Sequence, residues 1–130
     1  MIMREIKFRA LDDKGKFQIG TYYHGVLYPT SFRGHYINDT QIDEKTLGQY
    51  TGLKDNKGRG IEIYEGDVFD FSGVKYFVKW SEDGCNFVLT TGRGYDTRNC
   101  FDLTCDSIFF NEIIGNIHEN PELLCTSQST

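Results

Sequence analysis

A chain of 130 residues and 15.0 kDa is the size of one domain, long enough to bury roughly two-thirds of its unfolded surface without a disulfide or metal staple. Ten Phe, eight Tyr and one Trp stand against a single Ala, with fourteen Gly, a balance that favours strands and turns and excludes a disordered chain. The net charge of −5 gathers late: residues 1–80 carry 12 Lys/Arg against 11 Asp/Glu, and residues 81–130 carry 2 against 8, which disfavours whole-domain binding to a phosphate backbone but leaves room for a local basic patch.

Ile6, Phe8 and Ala10 alternate with Lys7 and Arg9, the pattern of a half-buried strand. Asp12-Asp13-Lys14-Gly15 supplies a turn, and Lys16–Tyr23 is predicted to return as the second strand of a hairpin. Residues 24–40 read mostly as loop, with a short strand at Val26-Leu27-Tyr28 ended by Pro29. Asp43 caps a single helical turn to Leu47 that Gly48 stops, or Leu47–Thr51 is already strand. Gly52–Gly60 is a polar turn region. Ile61, Ile63 and Val68–Phe71 alternate around a tight Glu65-Gly66-Asp67 corner, and Ser72-Gly73 joins them to a strand over Val74–Trp80, the clearest hairpin signal in the chain. Asn86–Thr91 is a further strand, Gly92–Asn99 a polar loop, and Ile113–Ile117 strand-like before the Asn120-Pro121 break. The predicted fold is mainly β, a partly open barrel or two packed antiparallel sheets built from hairpins, with one or two short helices. An α+β domain is the alternative should residues 36–47 or 103–112 prove helical. One domain over residues 1–124 with a frayed tail at 125–130 is expected.

No apolar run approaches the ~18 residues of a membrane span, and the charged N-terminus does not resemble a signal peptide. The expected location is therefore the cytosol, with no membrane partner. There the four cysteines, Cys85, Cys100, Cys105 and Cys125, are expected to stay reduced. Cys100 and Cys105 form only half of a zinc knuckle pattern, and His24, His35 and His118 form no spaced pair, so neither metal nor cofactor is expected. Glu62, Glu65, Asp67 and Asp70 are dense, but strand parity scatters them and the default is a solvated position. Gly58-Arg59-Gly60 and Gly92-Arg93-Gly94 lack the rest of a phosphate loop, and no serine or cysteine sits in a nucleophile frame. No catalytic residue is assigned.

Three ordered segments carry a resemblance: Met3–Ala10 (MREIKFRA); Gly48–Asp55 (GQYTGLKD) with Gly58 and Ile63–Val68 (IYEGDV); and Ile114–Leu124 (IGNIHENPELL). Together they resemble the YopX family of phage- and prophage-encoded proteins. The resemblance implies a viral or prophage origin and action inside a host cell, and it brings no assigned activity and no catalytic residues. Residues 20–45 and 81–110 match nothing in that pattern, and partner specificity has room there. The turn glycines Gly52, Gly58, Gly60 and Gly66, with Asp67 bonding turn amides, suit a structural role. The competing reading makes Thr51, Lys54, Asp55, Asn56, Arg59, Glu65 and Asp67 one exposed recognition surface.

These readings lead to a non-enzymatic interaction module, working through an unknown protein partner or through self-association of exposed strand edges. The alternative is a nucleic-acid-associated regulator using Arg4, Lys7, Arg9, Lys14 and Lys16 of the first hairpin with Lys75 and Lys79. In Val74–Trp80 the residues Val74, Tyr76, Val78 and Trp80 are predicted to face the core, leaving only Lys75, Phe77 and Lys79 outward, a poor stacking platform.

Overall fold

The computed structural model describes residues 5–27, 33–55, 60–91, 100–104, 108 and 112–125. The chain gathers into two compact units, residues 1–50 and 51–130.

The first unit opens with the expected hairpin, β1 (Phe8–Leu11) antiparallel to β2 (Phe17–Gly20). One side chain shapes its turn: the Asp12 carboxylate accepts from the Lys14 and Lys16 N–H groups, each at 2.9 Å, and from the Gln18 amide at 3.0 Å, as Asx turns do. The returning strand stops at Gly20 rather than running on to Tyr23. Asn38 occupies that end, donating to the Ile19 carbonyl at 2.9 Å, and a Cβ on Gly20 would lie 2.7 Å from its Oδ1.

The stretch 24–40, read mostly as loop with a short strand at Val26-Leu27-Tyr28, instead contributes to a sheet of three strands in the order β3 (Tyr22–Val26), β4 (Arg33–Ile37) and β5 (Thr40–Gln41); the strand ends at Val26, Leu27 lies beyond it, and Tyr28 is outside the described residues. Glycines at 25 and 34 argue against strand by propensity. They sit directly opposite one another, with Tyr23 folded over Gly25 and Tyr36 over Gly34, so each aromatic ring supplies the packing that its glycine lacks. Asn38 and Asp39, both at positive φ, form the two-residue turn into β5. Asp43 then caps a 3-10 turn over Glu44–Thr46, accepting from the Lys45 N–H at 3.0 Å, and β6 (Gly48–Lys54) begins immediately afterwards. Both readings of this stretch were therefore correct in part. Ala10, Ile37 and Ile42 form the buried core, with Phe8, Tyr22 and Leu47 against it.

β6 runs from the first unit into the second. Its first residues, Gly48 and Gln49, pair with Arg9 and Phe8. Further along, the Thr51 hydroxyl donates to the Ile63 carbonyl at 2.8 Å and the Asp55 N–H to the Ile61 carbonyl at 2.8 Å, alongside β7 (Glu62–Tyr64). The second unit holds a five-stranded antiparallel sheet. Its members are β8 (Asp67–Phe71), β9 (Val74–Ser81), β10 (Asn86–Thr90), β11 (Cys100–Asp102) and β12 (Ile113–Asn116), in the order β11-β10-β9-β8-β12. Ser72 (φ 55°) and Gly73 (φ 89°) make the tight β8–β9 turn, the conformation whose twist suits a hairpin.

This sheet curls into half a barrel. Two strands lie between β8 and β11, yet Phe71, Tyr76 and Phe101 meet edge-on with ring centroids 5.0–5.4 Å apart. Ile63, Phe69, Val78, Phe87, Leu89, Leu103 and Ile108 fill the concave side. Along β9 the parity is as predicted, since Tyr76 and Val78 join this core. Val74 (42% exposed) and Trp80 (38%) do not, because they lie at the strand's ends, where the curl no longer covers them. The only helix outside the 3-10 turn, among the described residues, is α1 (Glu122–Cys125). The fold is mainly β. Residues 36–47 hold no α-helix, and most of 103–112 lies outside the described residues.

Candidate interaction surface

Two of the family-like segments meet in one clasp. At the β7–β8 corner the buried Asp67 carboxylate accepts the Tyr64 N–H at 2.8 Å, and Gly66 takes a φ of 93°. The Gly66 N–H donates to the Val78 carbonyl, while the Gly66 carbonyl accepts from the Ile117 N–H, both at 2.8 Å. β12 pairs with β8 so that Asn116 lies opposite Asp67 and Gly115 opposite Val68. The Asn116 Oδ1 accepts the His118 and Glu119 N–H groups at 3.0 and 2.8 Å, and its Nδ2 donates to the Glu119 carboxylate at 2.8 Å. The residues of these two motifs therefore work on the backbone, as the structural reading expected.

That assignment removes three of the five described residues of the expected recognition surface. Thr51, Asp55 and Asp67 are all buried, because each lies where β6 or the β7–β8 corner folds against its neighbour. Only Lys54 is exposed there and Glu65 half-exposed; Asn56 and Arg59 lie outside the described residues. A solvated default also fails for Asp67, whose carboxylate is needed by a buried amide.

The basic residues are largely engaged. Lys7 lies 3.3 Å from the Glu5 carboxylate and over the Tyr50 ring. Arg9 is buried with its guanidinium 4.4 Å from the Phe17 ring centroid. Lys75 donates to Asp70 at 2.9 Å. That bond comes first, and the Gly73 N–H second, in holding the Asp70 carboxyl below its ordinary value of 3.8. Lys14, Lys16 and Lys79 are exposed, and Arg4 lies outside the described residues. Among the described residues no three His, Cys, Asp or Glu side chains are grouped to hold a metal ion. Cys85 and Cys100 are free thiols, while Cys105 and the Cys125 side chain lie outside the description.

What the fold does assemble is the β3–β4 hairpin, in the segment the sequence left unmatched. On one face His24 and His35 stand directly opposite and stack with ring centroids 4.1 Å apart. His35 is hydrogen-bonded through Nδ1 to the Tyr22 hydroxyl, and its Nε2 lies 2.8 Å from the Glu44 carboxylate. Spacing along the chain hid this pair; only the hairpin register brings it together. On the other face the Tyr23 and Tyr36 rings lie 6.3 Å apart, tilted by 31°. They help line a groove of about 440 Å³ together with Thr21, Val26, Leu27, Asn38 and Asp39. Tyr23 and Val26 are each 47% exposed; three positions apart on one strand, they leave apolar surface on both faces of the hairpin.

The profile of the family described as YopX protein matches residues 7–125, nearly the whole chain. The chain belongs to the YopX family. No curated protein matches it. Within this YopX domain the matched span takes in both the clasp and the β3–β4 hairpin. No helix among the described residues is long and apolar enough to cross a membrane.

Proposed function

We propose that this YopX domain is a phage- or prophage-encoded binding module that acts in the host cytosol by protein contact, without catalysing a reaction, and that the β3–β4 hairpin is its contact surface. The observation that carries the reading is the exposed pair Tyr23 and Val26 beside the tyrosine-lined groove. Aromatic side chains of this kind anchor protein interfaces because they bury a large area at small conformational cost. Further support comes from the division of labour along the chain: the family motif residues are committed to buried turns, and the hairpin between them is not. Contact with nucleic acid is the weaker reading, since Lys7, Arg9 and Lys75 already face carboxylates or rings, which lowers the charge available to phosphates.

The test is capture of a host-lysate partner by the wild-type chain and by Tyr23→Ala. Loss of a partner with Tyr23→Ala, at unchanged thermal stability, supports the hairpin; equal capture by both removes it from the interface.

A further inference from the structure

Among the described residues the sheets end in six edge strands, β2 and β7, β11 and β12, β3 and β5. Five of these are short or guarded. β5 has two residues, and β7 and β11 have three each and carry Glu62 and Asp102. On β2 the Ile19 carbonyl is taken by the Asn38 amide at 2.9 Å, and β12 is interrupted by a register shift between Ile113 and Gly115. Short length, charge, a covering side chain and a bulge are the means by which sheets avoid edge-to-edge pairing. β3 has none of them. It is the longest of the six at five residues, with no proline, lysine, arginine or carboxylate in Tyr22–Val26 and an unbroken ladder to β4. The groups it turns outward follow from β4. The His35 carbonyl accepts the Ile42 N–H at 3.0 Å, on the β5 side, so the β3–β4 bonds run through the Tyr23–Tyr36 and Gly25–Gly34 pairs. Tyr22, His24 and Val26 therefore present their N–H and C=O groups to the free edge. Among the described residues the one partner on that edge is the Tyr23 hydroxyl, donating to the Val26 carbonyl at 3.0 Å, and a carbonyl accepts a second bond.

We infer that β3 pairs with β3 of a second copy of the chain, antiparallel and two-fold symmetric about His24. A two-fold axis at His24 sets Tyr22 opposite Val26 of the second copy, His24 opposite His24, and Val26 opposite Tyr22. All three are outward-facing positions, so each N–H and C=O on one edge meets its complement on the other, as an isologous contact requires. The same register places an aromatic ring beside a β-branched side chain at each end, a favourable cross-strand pair, and covers Val26, whose side chain is otherwise exposed. The three-stranded sheets of the two copies become one continuous sheet. An unrelated extended segment would satisfy the hydrogen bonds alone; a second copy also brings a Tyr22 to each Val26. Tyr23 points to the opposite face of β3, so the contact leaves its ring in place, and the inference does not depend on the host-partner surface proposed above.

The test is sedimentation equilibrium of the intact chain from about 5 to about 500 µM, the range in which a contact of small area associates. A reversible dimer is expected. His24→Lys and His24→Glu each set like charges face to face across the axis, and each is expected to weaken the dimer about tenfold or more. An equimolar mixture of the two variants sets opposite charges there and is expected to restore association, as only a contact in which residue 24 meets itself allows. Val26→Lys, which guards the edge without altering the axis, is expected to weaken the dimer as well. His24 and Val26 are exposed, and circular dichroism establishes that each variant is folded. A chain that stays monomeric throughout the range overturns the inference. So does a dimer that both His24 variants leave intact, or a pair of monomeric variants that do not associate on mixing. Sedimentation needs no host partner, so a failed dimer and a failed lysate capture are separate results.

Discussion

Asp67 and Asn116 lie opposite one another in the β8–β12 pair, and both use a side-chain oxygen to satisfy backbone amides near the core. Replacing Asp67 by Ala leaves the buried Tyr64 N–H without its acceptor, and the expected loss is about 1–3 kcal/mol. Asn116→Ala takes the acceptor from two amides that are only part-buried, and the expected loss is about 1–2 kcal/mol. Urea unfolding followed by tryptophan fluorescence measures both. Gly115→Ala tests the same turn sterically: a Cβ there would stand 2.7 Å from the Asn120 Oδ1 and 2.8 Å from a Leu123 methyl. Because that Asn120 oxygen accepts the Asn116 N–H at 3.3 Å, the turn must shift, with an expected cost of about 1–3 kcal/mol.

The β8–β9 hairpin isolates the behaviour of one element. Ser72 occupies a left-handed conformation that asparagine tolerates better. Ser72→Asn is accordingly expected to stabilise the domain by about 0.5 kcal/mol, read as a higher urea midpoint. On the same hairpin Asp70 accepts from Lys75 and from the Gly73 N–H, and its folded-state carboxyl titrates below the usual value. A lowered folded pKa means that the stabilisation is present above the unfolded value and fades as pH falls through the folded one. Asp70→Asn is thus expected to lower stability slightly at neutral pH, the effect being small because the pair is solvent-exposed, and to make no difference in strong acid. This hairpin was also the most legible part of the sequence, since its turn residues and its period-two alternation agreed. The β3–β4 hairpin was not legible, for a physical reason: Gly25 and Gly34 erase the alternation, and their stabilising partners Tyr23 and Tyr36 are recognised only once the cross-strand register is known. The recognition surface was misjudged in the same way. Thr51, Asp55 and Asp67 are polar, and nothing in their local pattern announces that backbone partners draw them into the interior.

At the scale of the whole molecule, the family-like residues of the corner and the closing turn are tied together within the second unit, while the hairpin in the first unit presents Tyr23, Val26 and the groove. The net charge of −5 points the same way, with Lys75 committed to Asp70, although Lys14, Lys16, Lys45, Lys54 and Lys79 are exposed. Any oligonucleotide affinity is expected to be weak, and reversing Lys75 and Lys79 together is expected to leave partner capture intact, which fluorescence anisotropy across a salt series and the capture assay check in turn.

The division between a structural clasp and a binding hairpin is tested most directly by quantitative capture from host lysate with three folded baits. These are the wild-type chain, Tyr23→Ala with Val26→Ala, and Lys75→Glu with Lys79→Glu. The expected result is a partner retained by the wild type and by the lysine variant and lost by the hairpin variant. Retention by the hairpin variant together with loss by the lysine variant would contradict it, and would place the contact on the outer face of β9.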